Sequence, residues 1–125
     1  MKLKWEHLGQ RERDELIIVH VMGWKRTSEY PSWVLPDGDA RKWDDVEPYS
    51  QDITAAWEVV KEMQRKGFSF SFQSGDTRMK LCTAGFTQLI SGQEVWIPYT
   101  IWAKRVSPSQ AICLAALKAL GVGIE

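Results

Sequence analysis

Apolar and polar residues recur along this chain with two different periods, and the switches between them mark out its elements. From about residue 11 the pattern is helical. Leu16, Val19, His20 and Gly23 fall at spacings of three and four, and Ile17, Ile18, Val21 and Met22 widen the apolar surface. Asp14 and Glu15 sit in the first turn, where negative charge suits the helix dipole, and Gly23 is placed to end the helix just before Trp24. The β-branched residues in this run leave a strand as the alternative. A second helix is expected after Ser50 or Asp52 as N-cap. Ile53, Ala56, Trp57, Val60 and Met63 form an i, i+3, i+4, i+7 stripe, Gln51, Glu58, Lys61, Glu62 and Arg65 lie mostly off it, and Gly67 follows. With Trp57 at its centre, this stripe reads as the main packing element of the fold. The third helix opens on Ser107-Pro108-Ser109-Gln110, a capping box with proline at the first helical position and Gln110 able to reach back to the cap. Residues 111–120 then carry Lys118 as their only charge, so this helix is buried under a sheet or in a subunit interface.

Between the helices the period falls to two. Residues 32–35 and 39–43 are strand-like and flank Pro36-Asp37-Gly38, a hairpin-turn sequence. Phe68, Phe70 and Phe72 alternate with Ser69, Ser71 and Gln73, which marks a strand with one buried face. Ser74-Gly75-Asp76 reads as a turn, and residues 78–83 as a strand with Met79 and Leu81 on one side. Residues 84–93 are less regular, with a turn at Ser91-Gly92. Residues 95–105 read as one or two strands interrupted by Pro98. The N-terminal ten residues have no clear period and receive no role, either as a frayed end or as a strap over the first helix. The fold class is therefore α+β: helices packed on a central, mainly antiparallel sheet, an α/β/α sandwich-like single domain over residues 1–125 with its core at about 11–121.

Composition narrows the function more than the fold. The 16 basic and 16 acidic side chains cancel, so no global field draws the chain to nucleic acid or anionic lipid. No apolar run is long enough to span a bilayer, and no signal-peptide layout opens the chain. Cys82 and Cys113 stand in apolar surroundings without metal-type spacing, as inert thiols of a reduced, cytoplasmic protein. The histidines, His7 and His20, stand beside no obvious nucleophile. Walker, dinucleotide and Cys-x-x-Cys motifs are missing, and the aspartates at 37, 39, 44 and 45 lack the spacing and closing glutamate of a calcium loop. The expectation is no catalytic residue, no metal, no cofactor and no enzymatic activity. Paired carboxylates such as Asp44-Asp45 and Glu58-Glu62 read as solvated surface.

Three stretches carry a resemblance: Val21-Met22-Gly23-Trp24, Asp52-Ile53-Thr54-Ala55-Ala56-Trp57-Glu58-Val59-Val60 and Ala111-Ile112-Cys113-Leu114-Ala115-Ala116-Leu117. In this order they resemble the phage ABA sandwich domain family over roughly residues 14–121. The resemblance implies a short phage or prophage protein with helices on a central sheet and no established catalytic residues. Residues 84–96 look like material added to that pattern.

What is left to carry function is aromatic residues mixed with cations. Seven tryptophans are a heavy load for 125 residues. Trp24, Lys25, Arg26, Trp33, Arg41 and Trp43 surround the first hairpin, and Trp96, Tyr99, Trp102, Lys104 and Arg105 cluster near the last strands. Indole faces stack on bases and cations hold phosphates, so the hairpin group is the expected ligand-binding site. The alternative is that Trp33, Trp43 and Trp102 alternate into the core, with Trp24 the best exception. With the phage resemblance, the expected function is a non-catalytic binder in the infected host's cytoplasm. It would sequester a small anionic, nucleotide-like immune signal, with a homo-oligomer suggested by the apolar third helix. The alternative is an interaction module that inhibits a host defence protein through exposed aromatics.

Overall fold

The computed structural model describes residues 2–27, 32–42, 44–74, 82–90, 93–100 and 107–124, with the backbone alone described for 74, 89, 90 and 93–100. Among the described residues three α-helices are formed: α1 (Gln10–His20), α2 (Ile53–Arg65) and α3 (Pro108–Ala119). Two antiparallel sheets accompany them. One has β1 (Lys25–Arg26), β2 (Ser32–Val34) and β3 (Ala40–Lys42) in sequential order; the other has β4 (Phe68–Ser74), β5 (Cys82–Ile90) and β6 (Gln93–Thr100). The class is α+β with helices packed on an antiparallel sheet, as the sequence patterns predict.

α3 occupies the centre. Ser109 and every residue from Ala111 through Leu117 are buried, because the helix touches α2 and α1 as well as β5 and β6. Its apolarity is thus accounted for within one chain and calls for no second subunit. Ser107 caps it by accepting from Gln110 N at 3.2 Å. The Gln110 side chain does not reach back to the cap as the capping-box pattern predicts. Its Oε1 accepts instead from Trp5 Nε1 at 3.1 Å and from Arg13 at 3.4 Å.

That contact gives the N-terminal segment a role. A single 3-10 turn (Trp5–His7) drops the Trp5 indole into the core, 1 % exposed, beneath the Arg13 guanidinium, which stands 4.7 Å from the ring centre. Arg13 also donates to the Trp5 carbonyl at 2.7 Å, and Leu3 N donates to Gly123 O at 2.8 Å, so both ends of the chain are tied to the same core. The segment is a strap.

Two helix faces differ from the stripes read from sequence. α1 buries Asp14, Ile17 and Ile18, followed by Val21, while Val19 and His20 are exposed. α2 buries Ala55, Ala56, Val59, Val60 and Met63 and exposes Ile53 and Trp57. At 100° per residue this is a rotation of roughly 60° from the expected stripe. The boundary chemistry holds: Asp52 caps α2 by accepting from Thr54 N at 2.9 Å, and Gly23, Gly67 and Gly121 follow their helices with positive φ.

Residues 84–96, expected to be added material, contain most of the central strand of the larger sheet. β5 pairs with β4 from Phe68↔Gln88 to Ser74↔Cys82 and with β6 from Thr83↔Thr100 to Ile90↔Gln93. Pro98 does not interrupt β6, which lies at a sheet edge where a proline costs no ladder bond on its outer side. The turns expected at Ser74-Gly75-Asp76 and Ser91-Gly92, the Met79-Leu81 face and the segment around Trp102, Lys104 and Arg105 fall wholly or mainly outside the described residues.

Candidate functional site

The hairpin is built as its sequence dictates. Asp37 accepts from Asp39 N at 2.9 Å across the turn, Gly38 takes φ 93°, and β2 and β3 pair in register Trp33↔Arg41. β1 adds a third strand, with Arg26 opposite Trp33. These strands do not gather the six expected site residues around one cavity. Trp33 is only 2 % exposed and belongs to the core, so it lies away from the Trp24 cleft and reaches only the wall of a separate groove. Lys25 and Arg26 are exposed on β1. Trp43 lies outside the described residues.

Trp24 and Arg41 do line one cleft. After α1 the chain turns at Gly23, φ 75°, where an added Cβ would stand 3.4 Å from the Pro36 ring, and Trp24 N donates to Ile18 O at 2.8 Å. The half-buried indole then forms one wall of a cleft of about 520 Å³ lined also by Arg41, Asp44, Asp45, Val46 and Glu47. The last four belong to the segment that leads into α2, held by Asp45 N to Lys42 O at 2.9 Å and Tyr49 N to Glu47 O at 2.8 Å. The volume is that of a small-molecule or side-chain site. Its charge is not what the sequence suggested: three carboxylates face one guanidinium, and Arg41 also pairs with Asp39 at 3.3 Å. Asp44 and Asp45 are exposed, in keeping with their reading as solvated surface, and also line this cleft. Only a tertiary contact joins them to Trp24.

A second, shallower groove of about 340 Å³ runs between the outer face of α1 and β1–β2. Leu3, Leu8, Leu16, Val19 and the edge of Trp33 line it, with Glu12, Glu15, His20 and Arg26 also contributing. Leu16, Val19 and His20 thus line a groove, with Leu16 also packed against the core.

Neither cavity contains a nucleophile next to a base. Cys113 is wholly buried, donates to Tyr49 O at 3.3 Å, and burial followed by the nearby Asp14 carboxylate pushes its thiol well above the ordinary value. Burial also raises Cys82. Both thiols stay protonated, as inert core cysteines do. Beside Cys113, burial pushes Tyr49 up to about 12 and raises Asp14, whose Oδ1 accepts from Ser50 N at 2.9 Å. This polar group is structural: it joins α1 to the start of α2. Among the described residues no three His, Cys, Asp or Glu side chains converge to hold a metal ion, and no helix is long and apolar enough to cross a membrane.

The sequence model of the phage ABA sandwich domain matches residues 15–117, most of the chain. The chain belongs to that family. The match runs from within α1 to within α3 and so spans the residues that line the Trp24 cleft and those of β5. No curated protein and no solved structure is significantly similar to this phage ABA sandwich domain. It is a small phage protein.

Proposed function

We propose that this protein is a non-catalytic binding module that engages a basic segment of a host protein at the Trp24 cleft, as an accessory factor acting against host defence. The observation that carries this reading is the lining itself. One aromatic wall, three carboxylates and a single, already paired guanidinium suit a Lys or Arg side chain, which gains both the indole face and charge-assisted hydrogen bonds. Truncating one such anchor in a hot spot typically costs about 2 kcal/mol or more of binding. Pulldown from host lysate with wild-type protein and with Trp24→Ala tests it. A stoichiometric partner lost in the variant, with binding that weakens as salt is raised, is expected. Partner recovery that Trp24→Ala leaves unchanged would overturn it.

The second reading is sequestration of a small, anionic, nucleotide-like immune signal. It is favoured by the presence of Trp24 and Arg41 in one cleft of suitable size: the indole would stack a base, Arg41 would hold a phosphate, and the carboxylates would accept from ribose hydroxyls. Three carboxylates weigh against a polyphosphate, because each added negative charge is repelled by an already acidic lining. A thermal-shift panel of cyclic nucleotides, nucleoside monophosphates and ADP-ribose derivatives separates the readings. A shift abolished by both Trp24→Ala and Arg41→Ala supports sequestration, and a silent panel rejects it.

A further inference from the structure

We infer that the open edge of β4 is a self-association surface, on which two copies pair β4 against β4, antiparallel, about a two-fold axis through Ser71. Four observations converge on this edge. Among the described residues β4 pairs with β5 alone, in the order β4-β5-β6, and Ser69, Ser71, Phe72 and Gln73 are exposed. The strand reads Phe-Ser-Phe-Ser-Phe-Gln-Ser, without charge, proline or glycine. Proteins that keep an edge strand solitary place such residues on it, because its unpaired N–H and C=O groups otherwise recruit another strand.

The second observation is parity. A two-fold axis at Ser71 sets Phe70 opposite Phe72 of the other copy, Ser69 opposite Gln73 and Phe68 opposite Ser74. Directly opposed residues share a face, so every phenylalanine stays on the helix side and every opposed pair on the other face is small or neutral. The third is an aromatic ridge along this border. Trp57, 45 % exposed, meets Phe70 edge-on at 5.7 Å, Phe70 stacks on Phe72 at 6.4 Å, and Phe72 is 38 % exposed. The chain reverses at Lys66-Gly67, and at helix and strand rises Trp57 and Ser71 both lie roughly 13 Å back from that turn. The axis through Ser71 therefore brings the two indoles level with each other.

The fourth is charge, and it selects the occupant. A two-fold axis sets α2 antiparallel to its copy. Asp52 caps the start of α2, with Glu47 upstream; its end carries Lys61, Arg65 and Lys66, which pair within the helix with Glu58 and Glu62 and leave a net positive charge there. Each acidic start then faces the other copy's basic end, and the helix dipoles oppose. A strand from an unrelated protein could satisfy the backbone, but only a second copy supplies this pattern twice in register.

Light scattering coupled to size exclusion, over a range of protein concentrations, tests the assembly. The wild type is expected to pass from monomer to dimer as concentration rises. Ser71→Lys, which places like charges together on the axis without entering the core, should weaken dimerisation by roughly tenfold or more while circular dichroism is unchanged. Register is tested with oxidised glutathione as oxidant: Ser71→Cys should form a covalent dimer, whereas Ser69→Cys, opposed by Gln73, should not. A wild type that stays monomeric throughout would overturn the inference, as would a dimer indifferent to Ser71→Lys, equal cross-linking of the two cysteine variants, or an edge that accepts only another protein's strand.

Discussion

Trp5 and Trp57 exchange the places their surroundings predict for them. Trp57 stands at the centre of a clean amphipathic stripe, yet 45 % of it is exposed; Trp5 stands in a stretch with no period at all, yet it is 1 % exposed. An amphipathic stripe says that a helix has a buried face, but the partner decides where on the circumference that face is centred. In α2 the small Ala55 and the branched Val59 let α3 and the sheet approach closely, and the large Trp57 is turned aside to cover Phe70 at the sheet border. Trp5 is held by Gln110, 105 positions away, and by Arg13, and no local pattern announces such contacts.

The largest expected effect tests the Trp5 side of this contrast. Trp5→Ala removes a fully buried indole and the strap that ties the N-terminus to α3, and should cost about 3–5 kcal/mol in chemical denaturation. That is a large share of a small domain's stability. Trp5→Phe, which keeps most of the ring but loses the Nε1 donor to Gln110, should lose clearly less. Equal losses in the two variants would place the energy in the hydrogen bond and not in packing.

A smaller effect is expected at Asp14, on the same side of the molecule. Asp14→Ala leaves the buried Ser50 N–H without its acceptor and should cost about 1–3 kcal/mol. Asp14→Asn keeps an acceptor and removes a charge that burial opposes, so it should cost less. The pH dependence has a definite sign. Burial raises Asp14 above its ordinary value, against the bonds from Ser50, so the folded state holds this proton more tightly than the unfolded chain. The associated stability is fully present below the unfolded aspartate value and is lost as pH rises through the folded value. Comparing denaturation of wild type and Asp14→Asn from acid to neutral pH should show that decline in the wild type alone.

The same contrast explains how much of the protein its sequence disclosed. The class, the three helices, their capping residues and terminating glycines, and the first hairpin follow from local rules: Asp52, Ser107 and Gly38 act within three residues of themselves. Of the expected α2 stripe Ala56, Val60 and Met63 do face the core, but Ile53 and Trp57 do not, and Val19 and His20 of α1 are exposed, because each helix has more than one apolar stripe available. β5 was obscured for a related reason. A central strand covered on both faces need not alternate, and Ala84, Gly85, Phe86 and Thr87 are all buried. Of the site, the mixture of aromatic and cationic residues around the hairpin was legible, and two of its six members, Trp24 and Arg41, line one cleft. The buried state of Trp33 and the three carboxylates that change the cleft's charge depend on how the segment before α2 folds back, which no spacing encodes.

Trp57→Ala has the smallest expected effect and bears most directly on the contrast. A fully buried indole would make it as costly as Trp5→Ala; a half-exposed one that covers Phe70 should cost about 1–2 kcal/mol at protein concentrations where the chain is monomeric. If the β4 edge self-associates, the cost should grow with protein concentration, because truncation then removes contacts across the two-fold axis as well as within the chain. Denaturation midpoints of wild type and variant, taken at low and high concentration, separate the two contributions. A loss that is large and independent of concentration would show that Trp57 is a core residue after all. A loss that is small when dilute and larger when concentrated would mean that the most conspicuous helix in the sequence contributes its tryptophan chiefly to a surface.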